Sequence, residues 1–273
     1  MSKPTSIFID DNNTFVNNNN QIFKYKQDLT KSIKERSLIF FSPVIGNDEI
    51  KEQLYRALIK ENITTIAVIL IGAAATSKTL FMKCIEDQCN NVIFYDAAAG
   101  STGAGLIQLL RSNLNTRILI IDEIAEMPVN DLKTIRGLCN DGRVSKTLQS
   151  RLINFKLKGL KVFATTNNAK KFNSDLPLKS RFQSYIINKY SNDEFVRVLN
   201  FCLVNQGIVN DHDLANNLSH AMIHYNIKNV RTALSICSLI HKDDKKEDIE
   251  RIIENYISFN GADCSINFNE QEE

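Results

Sequence analysis

Apolar residues along this chain follow two rhythms. From Ile66 to Ile71 the sequence is IAVILI, apolar on both faces, as a strand in the middle of a parallel sheet must be. The runs NVIFYD (91–96), RILIID (117–122), LKVFATT (160–166) and QSYIINK (183–189) repeat that signature. Between them lie SKTLFMKCIEDQ, TGAGLIQLLRSN and VNDLKTIRGLCN, where apolar positions recur three and four apart and predict helices. Ahead of the first strand, Ile50, Leu54, Leu58 and Ile59 keep helical spacing behind an acidic first turn. Such alternation predicts an α/β fold, a parallel five-stranded sheet with helices on both faces. Ligands of such sheets sit at the carboxyl ends of the strands.

After Tyr190 the strand signature stops. SNDEFVRVLNFCLVNQ opens with Ser191 and, three residues on, Glu194, the pairing of a capping box. Helical patterns follow near 211–225, 228–241 and 245–257. The organisation expected is an α/β core over 43–190, a small all-α lid domain over 191–258 and a polar tail over 259–273. Residues 1–42 are expected to be a flexible leader. DDNNTFVNNNNQ is rich in Asn and can bury little, with one short element near IFKYKQDLTKSIKERSL.

Composition narrows the classes. With 43% hydrophobic residues and no apolar run of the roughly 18–20 residues a bilayer demands, no membrane span is expected. MSKPTSIFIDDNN lacks the continuous apolar stretch of a secretory signal, so the expected location is cytoplasmic. The six cysteines form no Cys-x-x-Cys pair, which argues against a disulfide framework or a zinc site. Cys84, Cys89, Cys139, Cys202 and Cys237 sit within apolar helical patterns and fit a core role. His220 and His224 are four apart on a predicted helix with no carboxylate to complete a metal site. A formal charge of +2 says nothing about a polyanionic partner, so any such argument depends on where the charges sit.

The junction of the first strand and its helix reads GAAATSKT, Gly72 to Thr79. It follows the phosphate-loop pattern Gly-x-x-x-x-Gly-Lys-[Ser/Thr], with Ser77 where the second Gly belongs. Backbone N–H groups of Ala73, Ala74, Ala75, Thr76, Ser77 and Leu80 are the candidates to face the phosphates at a helix N-terminus. Lys78 would reach the β- and γ-phosphates, and the Thr79 hydroxyl would ligate Mg2+. Ala75 and Ser77 tolerate a positive φ less well than glycine, although neither blocks the loop. A plain helix N-terminus that happens to carry Lys-Thr is the alternative. A second signal weighs against it. RILIIDEIAEM sets Asp122 and Glu123 at the end of a buried strand, where two carboxylates need partners. Asp122 suits the hydration shell of a magnesium ion and Glu123 suits the activation of water. Asn167, ending VFATTN, is placed to orient that water.

Together GAAATSKT, IIDE, FATTN, LPLKSRF and the helical tail resemble an AAA+ ATPase over about residues 43–240, most similar to the RuvB-like and MCM-like ATPases of archaea. The resemblance implies a P-loop NTPase core, ATP and Mg2+ as cofactors, and a site shared between subunits of a ring, a homo-hexamer by analogy. It implies that Arg181 completes a neighbour's site, where the alternative is a surface arginine in the turn after Pro177. It implies that Arg231 on the third lid helix is a sensor arginine, where the alternative is an ordinary helix-surface residue. Val44, Ile45 and Gly46 match the stretch that flanks the adenine.

What such a motor acts on is the least constrained part. GRVSKTLQSRLINFKLKGLK (142–161) contains Arg143, Lys146 and Arg151 and no acidic residue, and two strand-like segments flank KTLQS. It resembles a pore hairpin whose basic tips, Lys146 and Arg151, would contact DNA. A solvated hairpin against a neighbouring subunit is the alternative. AAAGSTGAGL (97–106) lacks the aromatic residue with which protein unfoldases grip polypeptide, which favours DNA over a threaded protein. Remodelling of a protein complex, a protein adaptor that delivers the substrate, and a nucleotide-binding scaffold with little turnover stay open.

Overall fold

The computed structural model describes residues 8–9, 15–16, 22–61, 64–99, 102–148, 151–241 and 244–259. Their contacts divide the chain into two units, Met1–Asn188 and Lys189–Glu273.

In the first unit, β1 (Phe8–Ile9) pairs antiparallel with β2 (Phe15–Val16). Then come α1 (Ile33–Phe40), α2 (Asp48–Ile59), β3 (Ile66–Gly72), α3 (Lys78–Gln88), β4 (Val92–Asp96) and α4 (Gly103–Ser112). β5 (Ile118–Asp122) leads through a 3-10 turn, Ile124–Glu126, into α5 (Val129–Asp141). A hairpin of β6 (Arg143–Leu148) and β7 (Arg151–Lys156) follows, then β8 (Lys161–Thr166), α6 (Ala169–Ser174), α7 (Leu176–Lys179) and β9 (Gln183–Ile187).

The expected five-stranded parallel sheet is present, in the order β4-β5-β8-β3-β9. Every residue of β5 and of β8 is buried, which is why their middles, Leu119–Ile121 and Val162–Ala164, are apolar throughout. One face packs Leu106, Ile107 and Leu110 of α4 and Ile135 and Leu138 of α5. The other packs Leu54, Tyr55 and Leu58 of α2 with Phe81 and Met82 of α3. Register brings the ends of four strands level: Leu70 of β3 lies opposite Thr165 of β8, Ile121 of β5 opposite Ala164 of β8, and Asp96 of β4 opposite Asp122 of β5.

The leader expected over 1–42 needs correction from Ile22 onward. Phe23 bridges to Cys89, and the Gln88 side chain donates to the Phe40 carbonyl at 2.6 Å. Ser32 and Glu35 form a capping box that starts α1. The helix ends in Phe40 and Phe41, both buried, with Phe41 edge-on to Phe81 at 5.2 Å. Burying each such ring contributes about 1.5–3 kcal/mol, enough to hold a short segment against the rest of the fold. Most residues before Ile22 lie outside the described ones.

Lys161 opens β8 at the amino end of the sheet, only 6% exposed, and its ammonium donates to the Lys60 carbonyl at 2.7 Å. Burial, helped by the charge of Arg117, pulls its pKa down to about 8. Buried thiols shift the opposite way. Cys84 is pushed up to about 11 and Cys89 to about 12, as expected of packing residues kept in the thiol form.

The second unit holds α8 (Asn192–Asn205), α9 (His212–His224), α10 (Val230–Cys237) and α11 (Lys246–Phe259). The Ser191–Glu194 capping box forms as its residues suggest. Phe195, Leu199, Leu218, Met222, Ile236 and Ile253 are buried in this unit.

Candidate functional site

β3 delivers the chain to Gly72 beside the edge strand β9. A Cβ at Gly72 would stand 2.5 Å from the Ile187 carbonyl oxygen, so a glycine is needed for the loop to leave the sheet here. Within the loop, the Thr76 hydroxyl turns back to donate to the Ala73 carbonyl at 2.9 Å. Of the two positions where a glycine seemed to be missing, only Ala75 takes a left-handed conformation, φ 59. Ser77 has φ −17 and ψ 8, so the expected strain falls on one residue rather than two. Lys78 begins α3 and is 3% exposed. Its ammonium donates to the carbonyls of Gly72, at 3.0 Å, and Ala73, at 2.6 Å. The loop thus curls around its own lysine. Leu80, two residues on, is open to solvent.

Two hydroxyls meet the carboxylate at the end of β5. Thr79 donates to Asp122 Oδ2 at 3.1 Å, and Thr165 donates to Asp122 Oδ1. The same Thr165 oxygen accepts the Glu123 N–H at 3.0 Å. Glu123 has φ 54 and ψ 50, a left-handed residue that swings the chain out of the strand into the 3-10 turn. Its carboxylate accepts the Asn167 backbone N–H at 2.9 Å, while Asn167 itself is exposed at the tip of β8. Asp122 was expected to look to a metal for company, and it already has protein donors on both oxygens. Thr165 escaped the sequence reading. The signal was a hydroxyl in a strand whose preceding residues, Val162, Phe163 and Ala164, are wholly buried and apolar.

Thr79 and Asp122 are oxygen donors side by side, and hard divalent cations such as Mg2+ take such donors. Lys78 sits at the loop's centre with its positive charge, and α3 presents its N-terminus at the same point. These residues fit a nucleotide triphosphate with its magnesium ion. Among the described residues no set of three or more His, Cys, Asp or Glu groups forms a separate metal site.

Other candidates make contacts of their own. Arg181 was expected to reach outward. In the structure its guanidinium donates to the Pro177 carbonyl one turn earlier, because the short α7 leaves that carbonyl at its end. The segment is fastened to α5 by an ion pair between Arg136 and Asp175, whose other oxygen caps α7 through the Leu178 N–H at 3.0 Å. Lys146 is not a hairpin tip. It lies opposite Ile153 in the ladder, and its ammonium pairs with Asp131 of α5 at 3.1 Å. Asp131 also accepts the Gly103 N–H at the start of α4, at 3.0 Å. Arg143, at the hairpin's base, is 3.5 Å from Asp141. The segment is free of acids, as its sequence shows, but α5 supplies them. The side chain of Arg151 lies outside the described residues.

Val44 is buried, and Gly46 and Asn47 take consecutive left-handed conformations that turn the chain into α2. Arg231 is exposed in the first turn of α10, in the second unit, where Asn229 caps the helix. Of the sequence candidates, then, the structure gathers Gly72–Thr79, Asp122, Glu123 and Asn167 at the carboxyl ends of β3, β5 and β8.

Residues 68–190 match the family model of the ATPase family associated with various cellular activities (AAA). Over this stretch the chain is similar to that family, and it has the α/β fold of a P-loop NTPase. The match takes in GAAATSKT, Asp122, Glu123, Asn167, the hairpin and Arg181. Comparison with curated proteins finds no match. No described helix is long and apolar enough to cross a membrane.

Proposed function

We propose that this chain is an AAA ATPase that binds ATP with Mg2+ on the Gly72–Thr79 loop and hydrolyses it. The observation that carries this reading is the Thr79–Asp122 contact, with Glu123 one residue beyond on a left-handed turn. Lys78 exchanges the loop carbonyls for β- and γ-phosphate oxygens. Thr79 and Asp122 hold the magnesium ion, which when bound neutralises charge on the phosphates. Glu123 accepts a proton from the attacking water, and the Asn167 side chain orients that water. Glu123 reaches this role by exchanging the Asn167 N–H for water, a change confined to one side chain.

Arg181 acts on the γ-phosphate of the next subunit in a ring, and Arg231 senses nucleotide from the lid. Val44, Ile45 and Gly46 flank the adenine. The assembly works in the cytoplasm as a homo-oligomer, a hexamer by analogy.

Its substrate in this reading is DNA, handled as RuvB-like and MCM-like motors handle it. The support is a hairpin that stands apart from the main sheet and carries Arg143, Lys146 and Arg151. A second reading, remodelling of a protein complex, is favoured by one observation: Asp131 and Asp141 already compensate Lys146 and Arg143. An adaptor protein would serve either case. ATP turnover by the purified chain, with and without single-stranded and junction DNA, separates them. Stimulation by DNA that is lost in Arg143→Gln/Lys146→Gln supports the DNA motor. Turnover indifferent to DNA contradicts it and points to a protein client.

A further inference from the structure

A fully buried hydroxyl of the site is one the motifs do not name. Thr165 has no exposed surface, and its strand neighbours Val162, Phe163 and Ala164 have none. Packing alone does not call for a hydroxyl there, since valine has the same shape and nearly the same volume. What the hydroxyl adds is two bonds of fixed direction. Its one proton goes to Asp122 Oδ1, so its lone pair takes the Glu123 N–H at 3.0 Å.

From this geometry we infer that Thr165 is a positioning residue for hydrolysis, setting the Asp122 carboxylate plane and the Glu123 backbone together. The inference rests on the ATPase reading given above. Asp122 Oδ1 held by Thr165 leaves Oδ2 aimed at Thr79, at 3.1 Å, where the two oxygens needed for magnesium meet. Without that anchor the carboxylate turns about its last torsion, which has broad, shallow wells. The second bond acts on a different group. Glu123 has a left-handed backbone, an uncommon state for a non-glycine residue, and its N–H bond to Thr165 holds the residue there. From that backbone the side chain reaches the tip of β8 and the Asn167 N–H. One hydroxyl on β8 therefore locks the metal-side carboxylate and the water-side carboxylate into one register.

The test compares Thr165→Val, Thr165→Ser and Glu123→Gln with the wild-type chain. Three quantities are read: kcat and KM for ATP with Mg2+, affinity for Mn2+ by electron paramagnetic resonance in the presence of a non-hydrolysable ATP analogue, and the affinity for fluorescent ADP without metal. Thr165→Val is expected to lower kcat by roughly ten-fold or more, the scale on which small misplacements of reacting groups act. It is also expected to weaken Mn2+ binding severalfold and to leave metal-free ADP binding unchanged. Thr165→Ser restores both losses, which a merely structural role would not require. Should the valine variant fail to fold, Thr165→Ala reads the same quantities.

Thr165→Val with kcat and Mn2+ affinity like wild type, beside an inactive Glu123→Gln, overturns the positioning role and leaves the ATPase reading standing. A loss that serine does not restore overturns it as well. No turnover by the wild type removes the ATPase reading, wild-type turnover in Glu123→Gln removes the assignment of Glu123, and the positioning role falls with either.

Discussion

The Thr79 hydroxyl donates to Asp122 Oδ2 at 3.1 Å, joining the first turn of α3 to the end of β5. Asp122 ends β5 and Thr79 lies in the helix that follows β3, and the contact presets the two side chains between which a phosphate-bound metal ion would sit. The same preparation extends to Lys78, whose ammonium is already buried at the loop's centre with carbonyl partners. Binding a nucleotide then requires exchange of partners rather than assembly of a site.

Ala75 carries the backbone strain of the loop, with φ 59. A left-handed L-residue costs roughly 1–2 kcal/mol, and the extra freedom of glycine in the unfolded chain returns about half of that. Ala75→Gly is therefore expected to stabilise the protein by about 0.5–1 kcal/mol in urea unfolding. Destabilisation would mean that the loop does not take this conformation in solution.

That loop also shows what a sequence can and cannot tell. GAAATSKT announced the phosphate loop because its side-chain roles are local, but which residue takes the positive φ depends on how the loop closes over Lys78. The five strands were legible because buried parallel strands are apolar on both faces, as IAVILI and RILIID are. Phe40 and Phe41 were not. They sit at the end of a helix with no amphipathic stripe, and partners distant in sequence, Phe81, Tyr55 and Phe23, explain them. The Lys146–Asp131 pair joins a strand to a helix, so a hairpin free of acids looked more basic than its surroundings make it. Thr165 was hidden for a similar reason, since its partners lie on the neighbouring strand.

Lys161 makes stability depend on alkaline pH. Its folded pKa, about 8, lies below the ordinary lysine value, so between these two the unfolded chain binds more protons than the folded one. Stability from this group therefore rises with pH across that window, and the burial penalty is fully present below it. Lys161→Met removes the titration. From pH 8 to 9.5 the wild type is expected to gain stability relative to Lys161→Met, read as a converging difference in unfolding midpoint. A constant difference would show that the amine titrates normally.

Arg181 gives the ring proposal its sharpest prediction. Its guanidinium bonds to Pro177 within the chain, so a role in a neighbour's site requires that contact to be exchanged. Arg181→Ala is expected to keep nucleotide affinity and to lose turnover by about 10³-fold or more, the scale of a lost arginine finger. Mixing Arg181→Ala with Glu123→Gln should restore part of the activity, because some interfaces then combine an intact arginine with an intact glutamate. Full activity in Arg181→Ala, or no restoration on mixing, would contradict a site shared between subunits.

Single-turnover ATP hydrolysis by the wild-type chain and Glu123→Gln, at protein concentrations where the oligomer forms, tests the central claim most directly. The account predicts that both bind ATP with similar affinity and that only the wild type converts it to ADP and phosphate. Equal conversion by the two proteins, or none by either, would contradict the assignment of Asp122 and Glu123 as the hydrolytic pair.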